Sequence, residues 1–146
     1  MNKSGTKKRE NMMGALFSEL NIWAALLGGF AYFMVGWGWY GPLFGEAWMQ
    51  EKGMEEHPES PEPIIFLYSL ILQFIAGISL GFFIVALDAT TALQGLSVGL
   101  AAGAGFVLTT VGVNGIYNDM SLKLFAIDGG YHLVGFTVAG LIIGLW

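Results

Sequence analysis

Charged side chains are missing from four long stretches of this chain: Leu20 to Gly45, Pro63 to Leu87, Ala89 to Asn118 and Gly129 to Trp146, runs of 26, 25, 30 and 18 residues. A bilayer's hydrocarbon core takes about 20 predominantly apolar residues per helix, and in lipid a helix pairs its own backbone N–H and C=O groups. The pattern predicts an all-α fold, a four-transmembrane-helix bundle filling residues 21–146, with spans at 21–41, 64–87, 92–117 and 124–146. The fourth reaches spanning length only with Asp128 inside it. Little of a 146-residue chain is left outside, which excludes a separate soluble catalytic or nucleic-acid-binding domain.

Only 12% of the residues are charged, about half the share of a soluble domain, and they sit in blocks. The segment 45–63 holds Glu46, Glu51, Glu55, Glu56, Glu59 and Glu62 against Lys52, and so accounts for the net charge of -5. Residues 1–20 form a basic extension with Lys3, Lys7, Lys8 and Arg9. Cytoplasmic flanks retain Lys and Arg, and acids weigh little. Four basic residues before the first span against Lys52 and Lys123 on the other side predict an N-in, C-in topology with an extracytoplasmic acidic loop. That loop lacks the ordered Asp/Asn spacing of an EF-hand and reads as a solvated connector. The first apolar run is longer than a signal-peptide core of about 7 to 15 residues and is expected to be retained. The expected surroundings are the lipid bilayer, with anionic lipid for the basic extension and no nucleic acid.

Between the first span and the acidic loop, Pro42 to Lys52 places Leu43, Phe44, Ala47 and Trp48 on one helical side, the pattern of a short interfacial helix. Trp37, Trp39, Tyr40 and Trp48 crowd this edge and Trp146 the other, as an aromatic belt would.

Small residues let membrane helices approach closely, and the 22 glycines are spaced for it: Gly95, Gly99 and Gly103 in the third span, Gly77 and Gly81 in the second, Gly140 and Gly144 in the fourth. These seams predict a compact bundle and allow a homo-oligomer. A faint echo relates Gly29-Phe30 and Val35-Gly36 to Gly105-Phe106 and Val111-Gly112. Gly129-Gly130 serves either close packing or an irregular start to the fourth span, as in broken transporter helices.

Asp128 and His132, four apart, share a helix face. Counting depth along antiparallel spans sets Asn114 beside Asp128, and Thr110 and Gln73 beside His132, predicting one polar cluster in one half of the bundle. A carboxylate at mid-membrane costs about 2.5 to 3.5 kcal/mol on insertion scales, so Asp128 is expected to be neutral or to pair with His132. One histidine and one aspartate fall short of a metal site, the chain has no cysteine, and Ser69, Ser79 and Ser97 lie in no nucleophile motif. No metal and no cofactor are expected. Three readings stand: a polar lock fixing helix register, a proton-linked or small-solute site of a non-enzymatic permease or accessory subunit, and acid/base chemistry on a lipid-soluble substrate. The ligand is not legible.

Asn21-Ile22-Trp23, Trp39-Tyr40-Gly41-Pro42-Leu43-Phe44-Gly45 with Trp48, and Asp128-Gly129-Gly130-Tyr131-His132 together resemble an uncharacterised bacterial family of small four-span membrane proteins, a domain of unknown function. The likeness covers roughly Asn21 to Trp146 and implies a multi-pass protein of the bacterial inner membrane with no established activity. Alanine often stands in that family where this chain has Gly129. It adds Trp39, Tyr40, Pro42 and Tyr131 to Asp128 and His132 as positions of interest, and transfers no catalytic residue.

Overall fold

A computed structural model describes residues 14, 16–54 and 62–146. Most of the basic extension, and Glu55, Glu56, Pro58, Glu59 and Pro61 of the acidic loop, lie outside the described residues. The described chain is helical throughout, with no strand: α1 (Ile22–Gly38), a π-helical turn (Trp39–Leu43), α2 (Gly45–Glu51), α3 (Pro63–Ala86), α4 (Ala92–Ala102), a second π-helical segment (Gly103–Leu108), α5 (Thr109–Tyr117) and α6 (Leu122–Ile143). Four continuous stretches are long and apolar enough to cross a membrane: span 1, Ile22–Leu43; span 2, Pro63–Ala86; span 3, Ala92–Tyr117; span 4, Leu122–Ile143.

Local chemistry sets those boundaries. The Asn21 side-chain oxygen accepts from the N–H groups of Trp23 and Ala24, both at 3.1 Å, and so caps α1. Pro63 opens α3 at a position where a missing N–H does no harm. Thr91 and Ser121 cap α4 and α6 through Gln94 and Leu124. Span 1 ends where expected, since the residue before proline is pushed out of the helical region. Gly41 takes φ −93°, ψ −105°, and the chain unwinds into the π turn before α2. The second π segment interrupts span 3 where no proline marks it.

Span 4 runs through the middle of the bundle, packed on spans 1 and 3, with span 2 seated mainly on span 1. The glycine seams make these approaches. A Cβ on Gly95 or Gly99 would collide with the carbonyl oxygen of Gly140 or Phe136, and one on Gly77 with that of Ala25. The seams thus join helices within one chain. Gly129 and Gly130 lie inside an unbroken α6, where Gly129 packs under Leu108 and Gly130 under the Trp39 ring, so close packing explains them and no irregular start exists. Tyr32, Leu80, Ile84, Ala102, Tyr131, Ala139 and Ile143 form the core. Ile65, Phe66, Leu67, Leu72 and Ile75 of span 2 lie open on the outside, as suits a lipid-facing wall.

Candidate functional site: a polar cleft at one edge of the bundle

The polar side chains of spans 1 and 4 meet near the end of span 1. Asp128, one and a half turns into α6, is half-buried. Its Oδ1 accepts the Tyr40 hydroxyl at 2.9 Å and the Trp48 indole N–H at 3.0 Å. The expected bond to His132 is not made. His132 instead shares a hydrogen bond of 2.5 Å between its Nδ1 and the Tyr32 hydroxyl. The reason is geometric. Tyr32 and Tyr40 are eight residues apart on the face of span 1 that meets span 4, so each of the two polar groups on span 4 finds a phenol across the interface before it finds the other.

Glycine notches seat the rings that make these bonds. A Cβ on Gly135 would overlap the Tyr32 ring, one on Gly36 would lie 3.0 Å from Tyr131 Cε2, and one on Gly130 would lie 3.1 Å from Trp39 Cζ2. Trp39 donates its indole N–H to the Ile127 carbonyl at 2.9 Å, Gln73 donates to the Tyr131 hydroxyl at 2.5 Å, and Tyr131 packs edge-on to Tyr40 with ring centres 5.2 Å apart. Trp39, Tyr40 and Trp48 therefore point inward, and the aromatic belt expected at this edge is in large part a set of hydrogen-bond donors aimed at span 4.

Tyr40, Trp48, Val111, Asn114, Met120, Asp128 and His132 line an open cleft of about 350 Å³. Asn114, Asp128 and His132 come together there as the depth count anticipated. Thr110 does not join them: it is exposed, and its hydroxyl turns back onto the Phe106 carbonyl of its own helix at 2.6 Å. Gln73 lies one layer away, reaching the cluster through Tyr131. Sequence reasoning missed Tyr32 and misassigned Trp48. A hydroxyl in the middle of an apolar span requires a partner, and that was the available signal for Tyr32.

Two polar atoms on residues that line the cleft make no hydrogen bond within the protein. Both donors to Asp128 converge on Oδ1, which leaves Oδ2 with no hydrogen bond. His132 Nε2 likewise makes none. Among the described residues no buried side-chain N or O lacks a partner, so Oδ2 and Nε2 are not sealed inside the protein. The Tyr32 hydroxyl is buried, and His132 Nδ1 is its one hydrogen-bond partner. An unsatisfied buried O–H is costly, so the hydroxyl donates and Nδ1 accepts. Neutral His132 then carries its proton on Nε2, presenting an N–H donor one turn from the free oxygen of Asp128.

A second contact fastens α2 to the start of α6. Glu51 accepts from the Ser121 hydroxyl and pairs with Lys123 Nζ at 3.3 Å. Ser121, then Lys123, hold the Glu51 carboxyl below its usual range. Helix α2 is thus tied to span 4 twice, through Trp48 on Asp128 and through Glu51 at the start of α6.

Tyr40, Trp48, Asp128 and His132 of this cleft belong to motifs that carried the family resemblance, and comparison with family models agrees with it. No curated protein and no solved structure matches the chain. Residues 23–144 match the model of the family described as Protein of unknown function (DUF1761), and the chain belongs to that family.

Proposed function

We propose that this membrane protein is a non-enzymatic small-solute or proton-linked permease, or the accessory subunit of one, working in the bacterial inner membrane with both termini inside. The observation that carries the reading is the open cleft lined by both Asp128 and His132, whose Oδ2 and Nε2 make no hydrogen bond within the protein. Ionisable groups within membrane spans are costly and mark ion and substrate paths. A carboxylate and an imidazole one turn apart also form a natural proton relay.

Reconstitution into vesicles holding a pH-sensitive dye tests it. Under an imposed pH gradient the wild type dissipates the gradient. Asp128→Asn loses that flux while its unfolding in detergent stays near wild type, and His132→Gln loses it with no more destabilisation than removal of the Tyr32 hydroxyl causes. Flux unchanged in both variants removes the proposal.

One observation favours the polar lock instead: Tyr40 and Trp48 tie both span 1 and α2 to Asp128. That reading predicts no flux in the wild type and a clear loss of detergent stability in both variants.

A further inference from the structure

The cleft's chemistry narrows what it holds. Lys and Arg are absent from its lining. The one ion pair among the described residues joins Lys123 to Glu51, so Asp128 has no cationic partner, which disfavours an anionic ligand and favours a cation. No three His, Asp or Glu side chains converge among the described residues, so the donor set does not suit a metal ion.

An alkylammonium group fits better. Its N–H bonds need acceptors, and Asp128 Oδ2 supplies a charged one. The Asn114 carboxamide, which makes no side-chain hydrogen bond among the described residues, supplies another. His132 Nε2–H on span 4 and the Asn114 amide N–H on span 3 are donors from the cleft's lining residues, and they call for an oxygen acceptor in the ligand a few bonds from its nitrogen. Val111 and Met120 with the Tyr40 and Trp48 rings complete an apolar lining for the short carbon link between the two.

We infer that this cleft binds a primary ammonium carrying a nearby oxygen, the chemistry of ethanolamine, free or as a lipid headgroup. The inference rests on reading the cleft as a solute site. It also accounts for the position, because a cleft at the membrane edge meets solutes from the aqueous side and headgroups from the lipid side.

The test uses the full chain in phosphatidylcholine nanodiscs. Ethanolamine and choline are titrated by calorimetry. In a parallel arm, nanodiscs containing ¹⁵N-labelled phosphatidylethanolamine report contact through the headgroup resonance. Choline has a positive charge but no N–H donors. A free-amine site binds ethanolamine saturably, with choline about ten-fold weaker or worse. A headgroup site shows saturable phosphatidylethanolamine contact with little response to the free amine. Either result supports the inference, provided Asp128→Asn weakens binding about ten-fold or more. Asparagine retains an acceptor for Tyr40 and Trp48 and removes the charge. Asn114→Leu, at an exposed wall position, gives a smaller loss with the fold intact.

No saturable binding in either arm overturns the inference, as does binding that Asp128→Asn leaves unchanged or choline binding as tight as ethanolamine. Proton flux without amine binding overturns it while leaving the proton-linked reading in place. Amine binding without flux does the opposite.

Discussion

Single hydroxyl groups decide which atoms of this site are free. Without Tyr32, His132 Nδ1 would have no donor, and its proton would no longer be confined to Nε2. The Tyr32→Phe variant removes that one oxygen and leaves the ring in its Gly135 notch. Interhelical hydrogen bonds in membranes average about 0.6 kcal/mol and reach about 1.7; with a buried Nδ1 left unpaired, a loss of about 1 kcal/mol is expected. Unfolding in mixed detergent measures it. The sharper readout is ¹⁵N spectroscopy of the two histidines, with His132→Gln giving the assignment. Wild-type His132 shows the Nε2–H tautomer, and Tyr32→Phe populates Nδ1–H. A wild-type spectrum dominated by Nδ1–H contradicts the donor direction argued for Tyr32. The sequence signalled that the Tyr32 hydroxyl needs a partner, but not which one. Helical spacing puts Asp128 and His132 on one face, but it does not say that a phenol on span 1 lies closer to each than they lie to one another.

At the scale of the element, α2 is the part that the sequence both revealed and concealed. Its apolar side was visible in Leu43, Phe44, Ala47 and Trp48, and a short interfacial helix follows from that pattern. Its docking was not, because the partner of Trp48 is set by the bend at Gly41-Pro42, which swings the helix back over span 4. The Glu51 contact makes this docking sensitive to acid. Its carboxyl is held below the usual value of 4.5 when α2 is seated, first by Ser121 and then by Lys123. The seated form therefore binds fewer protons than the released form. The contact is complete above the ordinary carboxylate range and is lost as the pH falls through the lowered value. Hydrogen exchange over Gly45–Glu51, corrected for the intrinsic effect of pH, should show protection that is constant near neutrality and declines as the pH falls below the ordinary carboxylate range. Glu51→Gln should abolish that dependence. The exposed position of this contact and the surviving Trp48 bond both predict a modest change rather than complete release.

For the whole molecule, the spans were legible because lipid leaves a chain few alternatives. A charge-free run of spanning length favours a helix, and glycines spaced by four favour the close approach of another helix. Which backbone they meet was not legible: Gly95 and Gly99 use their seam on span 4, and Gly77 uses its own on span 1. The π segment of span 3 left no signature either, since Gly103 to Leu108 contains nothing that forbids an α-helix. Orientation follows from a different physical rule, the retention of Lys and Arg on the cytoplasmic side, and it separates the two ends of the bundle. With an N-in topology, the connection around Thr90 faces the cytoplasm, while Asn118, α2 and the mouth of the cleft face outward. The chain has no cysteine, so Thr90→Cys and Asn118→Cys are clean reporters. A membrane-impermeant thiol reagent added to intact cells should label Asn118→Cys and reach Thr90→Cys only after lysis. The reverse pattern would turn the cleft toward the cytoplasm, and a solute drawn from outside the cell would then have no path to Asp128 from that side.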